Sequence, residues 1–189
     1  MLLFTILIVE RGKKMKSTGI VRRIDELGRV VIPKEIRKTL KIREGDTLEI
    51  YVEKDSIILR KFSHLNNLSS TAKKMVSIVS NTLKKNIIIV DLDHVLACSK
   101  NLEETYLNQS ISSQLLNLVM SRKNDQQFSI EPVSFIDTVE EECSYVMSPI
   151  LVDSDVLGAI ILFDENPLEE SDFLISQMLS SFFIKTIEE

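Results

Sequence analysis

A proline set directly after a β-branched run restricts this chain more than any other feature. Val30-Val31-Ile32 reads as a strand, and Pro33 ends it because its ring nitrogen has no hydrogen to give to a ladder. The fixed φ of proline suits the first helical position, so Lys34 to Leu40 is predicted as a short helix. Upstream, Gly19 to Ile24 alternates apolar and basic residues. Asp25-Glu26-Leu27-Gly28 joins that run to Arg29-Ile32 through a glycine, as a turn does. Downstream, Thr47 to Val52 and Ser56 to Phe62 read as a hairpin around the polar link Glu53-Lys54-Asp55. The order is ββαββ. So short a unit has too little interior to be stable alone, and dimerisation is expected on size grounds.

The same stretch carries an excess of positive charge. Arg22, Arg23, Arg29, Lys34, Arg37 and Lys38 fall within 17 residues of a chain whose net charge is -5. Through His64 there are 15 Lys/Arg against 9 Asp/Glu, and from Leu65 onward 8 against 19. A basic front and an acidic back imply a polyanion-binding module joined to one that must avoid polyanions. Arginine predominates among the clustered cations, and its planar fork bonds phosphate or guanine edges bidentately. The bland alternative is a solvated basic face; the clustering favours nucleic-acid binding. Cys98 and Cys143 have no metal-ligand spacing and no disulfide framework, so they read as reduced thiols in a cytoplasmic protein. His64 and His94 are too far apart and too poorly accompanied to suggest a metal. No metal and no cofactor are called for.

The first residues, MLLFTILIVERGKKM, form an apolar run too short to span a bilayer, with no small-residue cleavage site after it. Arg11-Gly12-Lys13-Lys14-Met15 is what a purine-rich ribosome-binding site followed by a start codon encodes. Residues 1–14 are therefore expected to be a non-native or disordered extension, with Met15 as initiator; a membrane anchor is the lesser alternative, and no membrane partner is expected.

From Leu65 to Lys85 the pattern turns helical. Leu65, Leu68, Ala72, Met75 and Val79 follow a 3-4-3-4 spacing, which suits a short coiled-coil seam or a helix packing on its own domain's sheet. Strands follow at Ile87–Asp91 and Val95–Ser99, then a helix near Ile111–Arg122. An irregular segment is expected around Ser129–Thr138, before long strands at Ser144–Val152 and Leu157–Asp164 that turn at Asp153-Ser154-Asp155. A last helix, about Leu168–Ile187, carries Phe173, Ile175, Met178, Leu179, Phe182 and Phe183. This is an α+β domain, an antiparallel sheet with flanking helices. The expected division is 15–63 for the basic module, 64–86 for a linker helix and 87–189 for the second domain.

The run from Met15-Lys16-Ser17-Thr18-Gly19-Ile20-Val21-Arg22-Arg23-Ile24 through Asp25-Glu26-Leu27-Gly28-Arg29-Val30-Val31-Ile32-Pro33, then Glu35-Ile36-Arg37, resembles the AbrB-type swapped-hairpin transcription-factor domain. The likeness is to the AbrB and stage V sporulation protein T group of spore-forming bacteria and covers about Met15 to Phe62. It implies an all-β barrel made by two intertwined chains. It also implies DNA contacts at Arg22, Arg23, Arg29, Arg37 and Lys38, and a role in regulating late, forespore genes as activator or repressor. Where this domain often has Arg-Arg in its helix, the chain has Arg37-Lys38; the lysine keeps the charge but not the bidentate fork. The same barrel occurs in antitoxins of toxin-antitoxin pairs, which usually end in a disordered tail rather than a second domain.

Ile87-Ile88-Ile89-Val90-Asp91-Leu92-Asp93 ends a strand in Asp-x-Asp, as haloacid-dehalogenase phosphatases do at their nucleophile. That chemistry also needs a magnesium site completed by later carboxylates and a lysine, and too little chain remains for the usual doubly wound sheet. The simpler reading is a polar hairpin turn, and no catalytic residue is assigned. Leu65 to Glu189 resembles a GAF sensor domain through this hairpin, Ser99-Lys100, Tyr106-Leu107, Ser148-Pro149-Ile150 and Leu157-Gly158-Ala159, although a glycine usual near Cys98 is missing. The resemblance implies a small molecule held against the sheet, with no pocket residue fixed, and a homo-oligomer that is a dimer or tetramer. Cys98 as a chromophore anchor is weighed against a buried thiol, which is the plainer reading.

Overall fold

The computed structural model describes residues 19–54 and 56–189, and the backbone of Thr5–Ile8. The chain divides into two compact units, Met1–Phe62 and Ser63–Glu189.

The first unit contains β1 (Thr5–Ile8), α1 (Lys34–Thr39), β2 (Leu48–Glu53) and β3 (Ser56–Lys61). β2 and β3 form the expected antiparallel hairpin, in register from Leu48↔Lys61 to Glu53↔Ser56, and β1 lies parallel to β3 on its other side. The rest of residues 1–18 lies outside the described residues, and so does the reading of Met15 as initiator. Pro33 is the residue before α1 rather than its first, and Lys34 opens the helix. At its other end Lys41 N donates to Lys38 O and Ile42 N to Arg37 O, with Lys41 left-handed at φ 52°. That is a Schellman stop built on lysine where glycine is usual.

Two expected strands differ from the sequence reading. Gly19–Ile24 and Arg29–Ile32 flank the predicted turn, but neither forms a strand among the described residues. Their apolar side chains explain why. Val21, Leu27 and Val31 are 68%, 74% and 72% exposed, and Val52 on β2 is 78% exposed. Among the described residues of this unit Ile58 alone is fully buried. One copy of the segment offers no second apolar surface for these strands to rest on.

The second unit is built differently. It runs α2 (His64–Asn67), α3 (Ser69–Leu83), β4 (Asn86–Asp91), β5 (Val95–Cys98), a 3₁₀ turn (Lys100–Leu102), α4 (Glu103–Tyr106) and α5 (Ser113–Met120). Then come β6 (Asp125–Ile136), β7 (Val139–Val152), β8 (Asp155–Asp164) and α6 (Glu170–Glu188). The sheet is antiparallel in the order β5-β4-β8-β7-β6. Period-2 alternation sends Ile87 and Ile89 to one face and Ile88 and Val90 to the other, and both faces are covered. On the first, Leu65, Ala72 and Val76 from α2 and α3 pack with Leu179 and Phe183 from α6. On the second, Tyr106, Leu115 and Val119 pack with Phe135, Met147 and Phe163.

This arrangement decides between the two readings of the Leu65–Lys85 helix. Leu65, Ala72 and Val76 are buried and Leu68, Met75, Val79 and Leu83 lean on the same cluster, so the stripe faces its own sheet. The segment expected to be irregular near Ser129–Thr138 is instead largely strand β6. Register shifts between Gln127 and Glu131 and between Val133 and Ile136 break the alternation that would have revealed it.

Polar groups pin the layers. Ser148 and Ser176 share a hydrogen bond of 2.7 Å across β7 and α6, and Ser180 Oγ donates to Pro149 O at 2.6 Å. Asp172, almost fully buried, accepts from Lys85 Nζ at 2.5 Å and from Glu169 N at 2.8 Å, tying the start of α6 to the end of α3. Asp91 closes the β4–β5 hairpin: its Oδ1 accepts from Asp93 N and His94 N, both at 2.7 Å. Burial pushes this carboxyl above the usual range, against the opposing pull of those two amides.

Two outcomes follow for the full chain in urea unfolding. A Cβ on Gly158 would stand 2.0 Å from Val90 O, so Gly158→Ala should cost about 1–3 kcal/mol as β8 is forced off β4. Asp91→Asn retains the oxygen that takes both amides and removes a buried charge, so it should be tolerated, whereas Asp91→Ala should lose about 1–3 kcal/mol. A folded pKa raised above the unfolded value contributes stability at low pH that is lost as pH rises through the folded value, and the asparagine variant should lack that component of the pH slope.

Candidate nucleic-acid interface

The candidate interface is built around the turn Asp25–Gly28. Gly28 N donates to Asp25 O at 3.0 Å and Gly28 takes φ 77°, a conformation that a side chain would strain. Asp25 N donates to Arg29 O at 3.1 Å, closing the loop at its base. The Asp25 carboxylate completes it. Oδ1 accepts from Leu27 N at 3.0 Å and Arg29 N at 2.8 Å, and Oδ2 accepts from Arg29 Nε at 2.7 Å. The Arg29 amide and guanidinium, with the Leu27 amide, hold the carboxyl below its ordinary range.

All five residues expected to meet DNA are exposed. Arg29 is the one whose side chain the fold orients through an ion pair. Arg22 Nη1 donates to Val21 O at 3.1 Å, and Arg23 follows it on the exposed segment before the turn. Arg37 and Lys38 stand on the outer side of α1, where the half-buried Ile36 and Leu40 face inward. Their position in the last turn also suits the negative end of the helix. Not every cation of the unit belongs to this group. Lys61 Nζ pairs with Asp46 at 3.0 Å, and Arg60 lies over the Tyr51 ring at 4.9 Å, so both have structural work.

Sequence reasoning missed the role of Asp25. The available signal was an aspartate opening a glycine turn, where Asx side chains bond the backbone two residues on, with an arginine just past the turn.

The other sites weighed on the sequence fare differently. Asp91 has one oxygen occupied by its own hairpin turn and lies buried behind it. Cys98 is buried, and desolvation pushes its thiol up to about 11, the opposite of what a chromophore anchor needs. Cys143 is likewise buried and pushed up to about 12. Among the described residues no group of His, Cys, Asp and Glu is arranged to hold a metal ion, and no helix is long and apolar enough to cross a membrane. The sheet face covered by α4 and α5 is filled by side chains: Phe135 and Phe163 have ring centroids 4.9 Å apart, and Tyr106 lies 6.1 Å from Phe163. Tyr106 Oη donates to Glu141 Oε1 at 2.6 Å at the edge of this layer.

Comparison with known proteins agrees with both units. Residues 67–188 match the family model for the stage V sporulation protein T C-terminal domain, described as a transcription factor. Residues 21–62 match that for antidote-toxin recognition MazE, a bacterial antitoxin. Stage V sporulation protein T of Bacillus subtilis (strain 168) is 38% identical over 178 residues, 93% of this chain and 100% of that protein. The transition state regulatory protein AbrB of the same organism is 69% identical over 48 residues, 25% of this chain and 50% of that one. Among solved structures, the GAF domain of an Acinetobacter phosphoenolpyruvate-protein phosphotransferase superposes with TM-score 0.52 at 15% identity. That match covers 64% of this chain and 82% of that one. The GAF domain of Thermosynechococcus elongatus PixJ gives TM-score 0.51 at 14% identity, covering 68% and 89%. These likenesses show a GAF fold in the second unit. With an AbrB-like first unit, a GAF-fold second unit and similarity over 93% of its length to stage V sporulation protein T, the chain belongs to the stage V sporulation protein T family of transcription factors.

Proposed function

We propose that two copies of the chain interleave residues 19–62 into one barrel, and that this barrel presents Arg22, Arg23, Arg29, Arg37 and Lys38 to double-stranded DNA. The observation that carries this reading is the combination of exposed apolar residues with exposed arginines in the same segment. Val21, Leu27, Val31 and Val52 are apolar and largely uncovered, which a second identical segment would correct. Phosphate contacts then dominate affinity, while a few base edges and groove shape set preference. In this reading the protein works with the nucleoid in the cytoplasm, regulating late sporulation genes as activator or repressor. An antitoxin role fits less well, because a folded GAF-type unit occupies the place of a toxin-binding tail.

The second unit serves as an oligomerisation platform. Leu174, Met178 and Phe182 recur every fourth residue on the outer side of α6 and are 57%, 62% and 40% exposed. Packing this stripe against another copy would join two barrel dimers into a tetramer. A small-molecule effector entering between the sheet and α4–α5 would have to open the Tyr106–Phe163–Phe135 layer, so that ligand entry and rearrangement of the interior become a single event.

Titration of labelled duplex at several salt concentrations tests the interface. Arg37→Ala should weaken binding and reduce the slope of log K against log salt by roughly one for each phosphate no longer neutralised, with the oligomer intact. Unchanged affinity and slope would remove Arg37 from the site. Met178→Lys should convert tetramer to dimer in native mass spectrometry, with short-duplex binding retained; a tetramer that survives it would place the joint between dimers elsewhere.

A further inference from the structure

We propose that Arg29 reads a base edge, and that Asp25 is the residue positioning it for that task. The inference rests on the DNA-binding function proposed above and assigns different work to different arginines. An arginine used to neutralise phosphate acts as a charge, and a carboxylate fixed beside it cancels part of that charge. Asp25 is fixed beside Arg29 in three ways: by the ion pair at Nε, by the amide of Arg29 itself, and by the amide of Leu27. For attraction to a backbone phosphate this arrangement is a loss.

For a base edge it is a gain. Nε is occupied by Asp25, so the donors left to a ligand are those of Nη1 and Nη2, on a side chain that is 71% exposed. Two parallel donors approaching end-on match O6 and N7 of guanine in the major groove. Tying the guanidinium to the turn also removes rotamer freedom before binding rather than during it. Among the described residues no ion pair holds Arg23, Arg37 or Lys38. Those three keep their full charge for phosphate, and the buttressed Arg29 supplies discrimination.

The test uses the full chain and two probes: a duplex selected from a random pool by the wild-type protein, and a scrambled duplex of equal length and composition. Asp25→Asn keeps an oxygen for both amides and removes the charge, with native mass spectrometry reporting whether the oligomer is intact. The expected result is a loss of about tenfold on the selected duplex, with affinity for the scrambled duplex equal or higher. In an Arg29→Ala background the same substitution should add no further loss. Replacing guanines of the selected duplex one at a time by 7-deazaguanine should reveal a position that weakens wild type and leaves Arg29→Ala unaffected. Equal losses on both duplexes in both backgrounds would overturn the proposal, since a general structural role predicts them. Tighter binding to both duplexes with a steeper salt slope would also overturn it, making Arg29 a phosphate contact that Asp25 restrains. If Arg29→Ala leaves both affinities unchanged, the placement of the interface itself fails, an outcome separable from the other two.

Discussion

The organisation of this protein depends on an apolar surface that one copy of its first unit cannot bury. Val21, Leu27, Val31 and Val52 stand largely in solvent, and of the described residues there only Ile58 is fully enclosed. Each such side chain forgoes on the order of 1.5–3 kcal/mol of burial. The runs Val21–Ile24 and Val30–Ile32 form no strand among the described residues, and a neighbouring strand would give their backbone a ladder. Both deficits point to the same remedy, a second copy supplying strand and surface together. Charge then acquires a geometry. Arg22, Arg23, Arg29, Arg37 and Lys38 all lie in the part that would be shared, so pairing would double the basic surface presented to one duplex.

The second unit meets its needs within one chain. Its sheet is covered on both faces, and the polar groups taken inside are matched: Ser148 with Ser176, Ser180 with Pro149 O, Asp172 with Lys85. An interior closed by Phe135, Phe163 and Tyr106 gives a stable body on which α6 displays its remaining apolar stripe. Acidic character in this unit is consistent with a partner other than DNA. The contrast is between a unit with one fully buried apolar residue among those described and a unit with two apolar clusters.

Much of the fold is legible in the sequence where one physical rule dominates. Pro33 ends an apolar run, Asp153 and Ser154 make a tight turn at φ 49° and 69°, and the α6 pattern needs only helical period. The strands at Gly19–Ile24 and Arg29–Ile32 were legible as patterns, yet a lone chain does not form them, because propensity cannot supply the missing partner. β6 was hidden by its bulges, which spoil the two-residue period while leaving the pairing to β7 intact. In the candidate interface, the arginines were visible as a cluster of charge. Asp25 was not, since a sequence shows its charge and its turn preference but not that both oxygens converge on Arg29.

The shared barrel is tested most directly by hydrogen–deuterium exchange of the amides of Val21–Ile24 and Val30–Ile32 in the full chain, followed over a dilution series. Interleaving predicts strong protection where native mass spectrometry shows the oligomer. It also predicts that this protection is lost, together with DNA binding, as dilution produces monomer, while β4, β7 and β8 stay protected throughout. Rapid exchange of those amides in a protein that is oligomeric and still binds DNA would contradict the shared barrel.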